Sequence, residues 1–156
     1  MDTRSNDAAL AGEYLTFCLG QEEYAIDILR VQEIRSYEDP TRIVGGPFFM
    51  KGVINLRGVI VPIIDLRLKL GCDEAQYTGF TVVIVLNIGG KVVGAVVDSV
   101  QDVVQMSTQD IRPAPEMDTI VDRGVITGLG KISRSDVEKM LILIDIERLI
   151  GDIIGA

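Results

Sequence analysis

The chain repeats itself, and this constrains its fold more than any single motif. Leu15–Ile34, LTFCLGQEEYAIDILRVQEI, aligns without a gap on Ile84–Val103, IVLNIGGKVVGAVVDSVQDV (84 − 15 = 69). Gly20 falls on Gly89, and Val31-Gln32-Glu33-Ile34 falls on Val100-Gln101-Asp102-Val103. A later match runs at another offset (144 − 64 = 80): Ile64-Asp65-Leu66 and Gly71 fall on Ile144-Asp145-Ile146 and Gly151. Gly52 pairs with Gly128 in the same way, and Pro47 with a position near Pro115. A period of this length describes two related small subdomains, not a short-repeat solenoid.

Each half reads alike. An apolar strand (Tyr14–Leu19; Phe80–Ile88) meets a Gly turn, Gly20-Gln21-Glu22 or Gly89-Gly90-Lys91, and a second strand follows (Tyr24–Ile28; Val92–Val97). Gly supplies the positive φ that tight hairpins need. The VQ(E/D)(I/V) segment, taken as a helical turn, leads into a Pro- and Gly-bearing connection, Tyr37–Pro47 or Ser107–Gly124. Two more strands return: Val53–Leu56 with Val59–Ile64, and Val125–Ile132 with Met140–Ile144. Asp65 and Asp145 stand where helix N-caps belong, and Gly71 and Gly151 where helices close. Pro62 can donate no ladder bond, which predicts an edge or a bulge there. Short strands with frequent turns predict a mainly β chain of two barrel subdomains with short helices. Barrels this small are marginal alone, so they should share an apolar interface. The expected boundaries are a flexible tail over 1–12, a first half over 13–77, a second over 78–151 with the C-terminal helix, and a tail over 152–156. The terminal segments are free to cross between barrels.

Composition agrees with strands and removes several functions. Hydrophobic residues make up 47% of the chain and are mostly Val, Ile and Leu, with 5% aromatics, a β-favouring bias. Acidic residues outnumber basic ones 23 to 15, a net charge of −8. That disfavours nucleic acid and anionic membrane surfaces, which need clustered Lys and Arg. With no histidine, there is no Ser-His or Cys-His pair and no imidazole metal ligand. No metal or cofactor is expected. Cys18 and Cys72 form no CxxC pattern, so no disulfide framework is expected. MDTRSNDAALAG is polar with no apolar run behind it, and no window reaches the ~18–20 apolar residues of a spanning helix. A cytoplasmic protein without membrane insertion is expected.

Carboxylates keep one enzymatic alternative open, a small acidic hydrolase on a double β-barrel. Against it, Asp65 and Asp145 are equivalent in the repeat and suit helix caps, while Asp98 reads as a strand-end surface residue. Gly128-Leu129-Gly130-Lys131 resembles a phosphate loop but is better explained as a hairpin turn, and Ser133–Asp136 reads as a solvated loop. Glu33 and Arg57 differ, because each carries charge among apolar neighbours. Arg57 lies in KGVINLRGVIVPIIDL, whose Asn55-Leu56-Arg57-Gly58 finds no clear match in the second half. Two readings stand: a salt bridge between segments, or charge presented at the rim of an apolar docking patch.

EEYAIDILRVQEIR, TRI, FMKGVINLRGVIVPIIDLR, VVIVLN, GAVVDSVQDV, IRPAPE and LILIDIERL together resemble the chemotaxis coupling protein family (CheW) from about Glu13 to Ile150. The resemblance implies two SH3-like five-stranded barrels around a shared hydrophobic interface. It implies a non-enzymatic adaptor bridging chemoreceptor (methyl-accepting chemotaxis protein) cytoplasmic tips and the regulatory domain of the histidine kinase CheA. Such a protein is cytoplasmic and reaches membrane-associated arrays through its partners. By family pattern Val31, Glu33, Gly52 and Arg57 lie at positions tied to partner binding or its support, with Val100 and Val103 in the matching segment. Ile28, Val31, Ile34, Val100 and Val103 are expected to help line an apolar surface near the groove between barrels. Plain core burial is the other reading for each valine.

Overall fold

A computed structural model describes residues 11–70, 77–113 and 125–154. The tails at 1–10 and 155–156, Gly71 and Pro115 lie outside them. The strands are β1 (Gly12–Leu19), β2 (Glu22–Asp27), β3 (Val31–Ser36), β4 (Met50–Leu56), β5 (Val59–Asp65), β6 (Val82–Ile88), β7 (Lys91–Val97), β8 (Ser99–Met106), β9 (Ile111–Arg112), β10 (Ile126–Arg134) and β11 (Val137–Ile144). Two helices, α1 (Leu66–Lys69) and α2 (Ile146–Ile154), follow β5 and β11. The fold is mainly β, in one six-stranded sheet ordered β8-β1-β2-β11-β10-β9 and one five-stranded sheet ordered β3-β6-β7-β5-β4.

The repeat halves are not the sheets. β1 and β2 of the first half pair with β8 and β11 of the second, while β6 and β7 of the second pair with β3 and β5 of the first. Buried residues accordingly fall into three clusters. One lies within the five-stranded sheet (Leu56, Val61, Ile63, Val83, Val85, Val96) and one within the six-stranded sheet (Tyr14, Ala25, Met106, Leu141, Leu143). The largest joins both sheets through Leu15, Phe17, Ile26, Ile64, Ile84, Leu86, Ala95 and Val97, with Ile146, Leu149 and Ile150 of α2. β6 shows why its sequence is apolar from Val82 to Leu86, ahead of the exposed Asn87. Val83 and Val85 face the barrel interior, Ile84 and Leu86 the shared core, so neither side meets water.

Local chemistry explains the remaining geometry, including several departures from expectation. VQ(E/D)(I/V) is strand, not helical turn, and carries a bulge in each half. Pairing shifts between Val31 and Glu33 on β3, and opposite Thr16 on β8. The Thr16 hydroxyl fills the second bulge, accepting from the Asp102 N–H at 3.1 Å and donating to the Asp102 carbonyl at 3.2 Å. Asp65 caps α1 through the Arg67 N–H at 3.0 Å, and Asp145 caps α2 through the Glu147 N–H at 3.1 Å. Gly151 does not close its helix; α2 runs on to Ile154 with Gly151 buried inside. Gly128–Lys131 is no turn either. It lies within β10, and the turn is Ser135-Asp136. Pro62 sits in an interior strand. The parallel ladder to β7 starts only at Ile63, and opposite Pro62 the Val53 backbone bonds outward to Thr41. The missing N–H of Pro62 therefore leaves no gap in a ladder.

Candidate functional site

β3 and β4 are the two edges of the five-stranded sheet. Glu33 stands on β3, and Arg57 occupies the β4–β5 turn with φ 51°, followed by Gly58 at 89°. Two successive positive φ values make a type I′ turn, whose twist matches that of a hairpin. The turn aims Arg57 back across the open side of the sheet, where its guanidinium donates to Glu33. This ion pair thus joins opposite edges and closes the sheet into a barrel. Glu33 also receives Arg35 at 3.3 Å. The Arg57 hydrogen bond, helped by Arg35, holds the Glu33 carboxyl below the usual range. Arg57 remains 65% exposed and Glu33 26%, so the pair is both closure and surface.

Arg57 has a counterpart after all, one residue before the matching turn. Arg134, at the end of β10, makes two 3.0 Å bonds to Glu23 and reaches Asp102 on edge strand β8 at 3.4 Å. Asp102 is the repeat partner of Glu33. Both barrels are therefore closed by an arginine beside a hairpin tip and an acid next to the bulge of an edge strand. Each seam leaves an opening, of about 60 Å³ between β3 and β4 and about 410 Å³ between β8 and β10. Sequence comparison missed this pairing because the arginine moved by one position.

The bulges also place the apolar candidates. Directly opposed residues on paired strands share a face. Val31 opposes Leu86 and Ile34 opposes Ile84, while Val100 opposes Phe17 and Val103 opposes Leu15. Leu86, Ile84, Phe17 and Leu15 all belong to the shared core. One extra residue lets side chains three apart face the same way. Val31 and Val100 are half-buried against that core with Ile28, while Ile34 and Val103 lie exposed at its margins. Gly52 is buried and presents no side chain. A Cβ there would stand 2.1 Å from the Thr41 carbonyl oxygen, so it holds the Thr41 segment against β4.

A CheW-like domain model matches residues 13–153. The chain is 56% identical to the chemotaxis protein CheW of Klebsiella aerogenes over 139 residues, 89% of this chain and 81% of that protein. The chain belongs to the CheW family. A probable chemotaxis protein CheW of Rhizobium etli is 36% identical over 90% of this chain and 88% of its own length. The crystal structure of the scaffolding protein TtCheW from Thermoanaerobacter tengcongensis superposes with a TM-score of 0.78 at 31% identity, covering 90% of this chain and 93% of that one.

In this CheW-family chain one further group escaped sequence reasoning. Arg67 is 3% exposed and Asp65 fully buried. Arg67 bonds both Asp65 oxygens, at 3.0 and 2.8 Å, and Asp98 at 2.8 Å. Tyr77 donates to Asp65 at 2.6 Å, and the Arg67 guanidinium lies 4.8 Å from the centre of its ring. Burial pushes the Asp65 carboxyl up, but the Arg67 and Tyr77 hydrogen bonds outweigh it and hold the group low. Burial and the Asp65 bond push the Tyr77 phenol up. Asp98 is no idle surface residue, since its other oxygen accepts the Gly20 N–H at 2.7 Å. The one local signal was Asp65-Leu66-Arg67, an arginine two residues beyond a cap.

Proposed function

We propose that this protein is a non-enzymatic chemotaxis adaptor, coupling chemoreceptor (methyl-accepting chemotaxis protein) cytoplasmic tips to the regulatory domain of the histidine kinase CheA. Family membership supports the adaptor role. The observation that carries the contact assignment is the placement of Val31, Ile34, Val100 and Val103 along the margins of one shared core. Half-exposed aliphatics at the margin of a core suit the apolar face of a helix laid into a groove. Beside them the Glu33–Arg57 pair offers fixed charge at the rim, where arginine is favoured. Among the described residues no helix is long and apolar enough to cross a membrane. The protein works from the cytoplasm and is recruited to receptor arrays through its partners.

The hydrolase alternative finds no support. A general acid needs a raised pKa, yet each described carboxyl with a displaced pKa (Glu23, Glu33, Asp65, Asp110) is displaced downward. The convergent pair Asp65 and Asp98 meets on Arg67, which keeps Asp65 ionised.

Co-sedimentation with receptor-containing membranes and CheA tests the proposal. The wild-type chain should carry kinase into the pellet at physiological salt. Ile34→Asp and Val103→Asp should each lower the recovery, because a charge at the core margin opposes an apolar contact. Arg57→Ala should keep a cooperative thermal transition while weakening kinase recruitment. Failure of the wild-type chain to recruit kinase would sink the adaptor reading, and unaltered recruitment by all three variants would sink the contact assignment.

A further inference from the structure

The chain passes twice between the sheets inside the repeat, and at both crossings an ion pair reaches it from the same position of a helix. The first crossing leaves β2, turns through Ile28–Arg30 and enters β3; the second leaves β7 at Asp98 and enters β8. Arg67 stands two residues beyond the cap Asp65, and Glu147 two beyond the cap Asp145. Arg67 of α1 grips Asp98 at 2.8 Å, and Glu147 of α2 grips Arg30 at 3.0 Å. The architecture repeats with its charges reversed.

The two pins differ in their surroundings. At the Asp98 crossing Arg67 is buried, fixed on both Asp65 oxygens and stacked by Tyr77. Asp98 is further tied to the six-stranded sheet, its N–H donating to the Cys18 carbonyl at 3.1 Å and its carboxylate accepting from Gly20. At the other crossing Arg30 and Glu147 are 40% and 43% exposed, so water and salt compete for both ends of the bond. An open pocket of about 310 Å³ adjoins that bond, with Tyr14, Asp27, Thr127 and Asp145 in its walls. One crossing thus carries a dry, many-handed ion group, while the ion pair at the other is wet and borders an open pocket, with Ile28 packed on the shared core.

We propose that the Arg30–Glu147 pair is a releasable latch at the first crossing, with the Asp65–Arg67–Asp98 group as a fixed pivot at the second. Displacement between the sheets then opens on the Arg30 side. This rests on the fold alone and holds whichever partner the adaptor binds. The latch stands immediately before Val31, so its release frees the start of the strand bearing Glu33 and Ile34.

Native-state amide exchange on the full chain reads both crossings at once. The reporters are Leu29 N–H, bonded to the Asp27 carboxylate, and Val31 N–H, bonded to the Ile28 carbonyl, set against Gly20 and Asp98 N–H. Raising NaCl from 20 to 500 mM (~0.02 to ~0.5 M, spanning the screening range) should accelerate Leu29 and Val31 several-fold and leave Gly20 and Asp98 unchanged. Glu147→Lys should show the fast pattern already at low salt, and Arg30→Glu combined with Glu147→Arg should restore the slow one. Equal acceleration at both crossings, no salt response in the wild-type chain, or no rescue by the charge swap would overturn the proposal. The salt series needs no variant, so a poorly folded substitution leaves the test intact.

Discussion

Arg67 shows how a single side chain can be both costly and necessary. Taking a guanidinium and a carboxylate out of water is expensive, and the attraction between them repays that only with good geometry. Here both Asp65 oxygens are satisfied, Asp98 takes a third donor, and Tyr77 completes the acceptor side. Arg67→Met removes the cation while keeping much of the volume over Tyr77. It leaves the buried Asp65 uncompensated, which should cost about 3–5 kcal/mol at neutral pH. The pH dependence has a definite sign. The folded pKa of Asp65 lies below its unfolded value. Its stabilisation is therefore complete above about pH 4 and is lost as pH falls through the folded value. Urea unfolding at pH 7 and pH 3 should show the gap between wild type and Arg67→Met narrowing in acid. An unchanged gap would mean that the loss does not come from an uncompensated Asp65 carboxylate. Of this group, only the cap role of Asp65 was legible in sequence, because a cap is a local pattern. Asp98 lies 31 residues from Arg67, and its repeat position is Leu29, so comparing the halves hid the partnership.

Hairpins differ from such long-range pairs, because local residues fix them when the turn chemistry is ordinary. Arg57-Gly58 could be placed from sequence: Gly takes the second positive φ, and the Asn55 side chain accepts the Gly58 N–H at 2.8 Å. The matching turn in the second half was misplaced. Gly128 and Gly130 look like the turn, yet they serve close approach within β10. A Cβ on Gly130 would stand 2.5 Å from the Met106 methyl, and one on Gly128 3.0 Å from the Arg112 carbonyl oxygen. The real turn uses Ser135 and Asp136 at φ 52° and 65°, a conformation that L side chains adopt at a cost. Replacing Ser135→Asn together with Asp136→Gly should relieve that strain. Glycine's extra freedom in the unfolded chain takes back part of the gain, leaving about 0.5–1 kcal/mol of added stability. A rise of a few degrees in thermal midpoint would bear this out, whereas a fall would mean that the present side chains stabilise the turn in another way.

At the scale of the whole molecule, two barrels with a shared core were legible, because both halves carry the same runs of Val, Ile and Leu. The strand exchange was not. Related halves offer nearly the same apolar faces, so β1 could pair with its own half or the other on pattern alone. What decides is the crossing after each first hairpin. Only the Ile28–Arg30 turn separates β2 from β3, and only Asp98 separates β7 from β8. In each case the chain moves into the other sheet at once. The consequence is that neither half contains a complete barrel. Residues 1–77 alone would lose the β8 partner of β1, the β11 partner of β2, the β6 partner of β3 and the β7 partner of β5. The shared core would be split too, since Leu15, Phe17 and Ile64 lie on one fragment and Ile84, Leu86 and Ile150 on the other. Expressed separately, 1–77 and 78–156 should each lack a cooperative thermal transition and dispersed amide resonances. Mixed in equal amounts they should recover both, with a midpoint that rises with concentration because folding has become bimolecular. A single fragment that melts cooperatively at low concentration would show that each repeat can close on itself, and that the exchange of strands is a choice the chain makes only when both halves are joined.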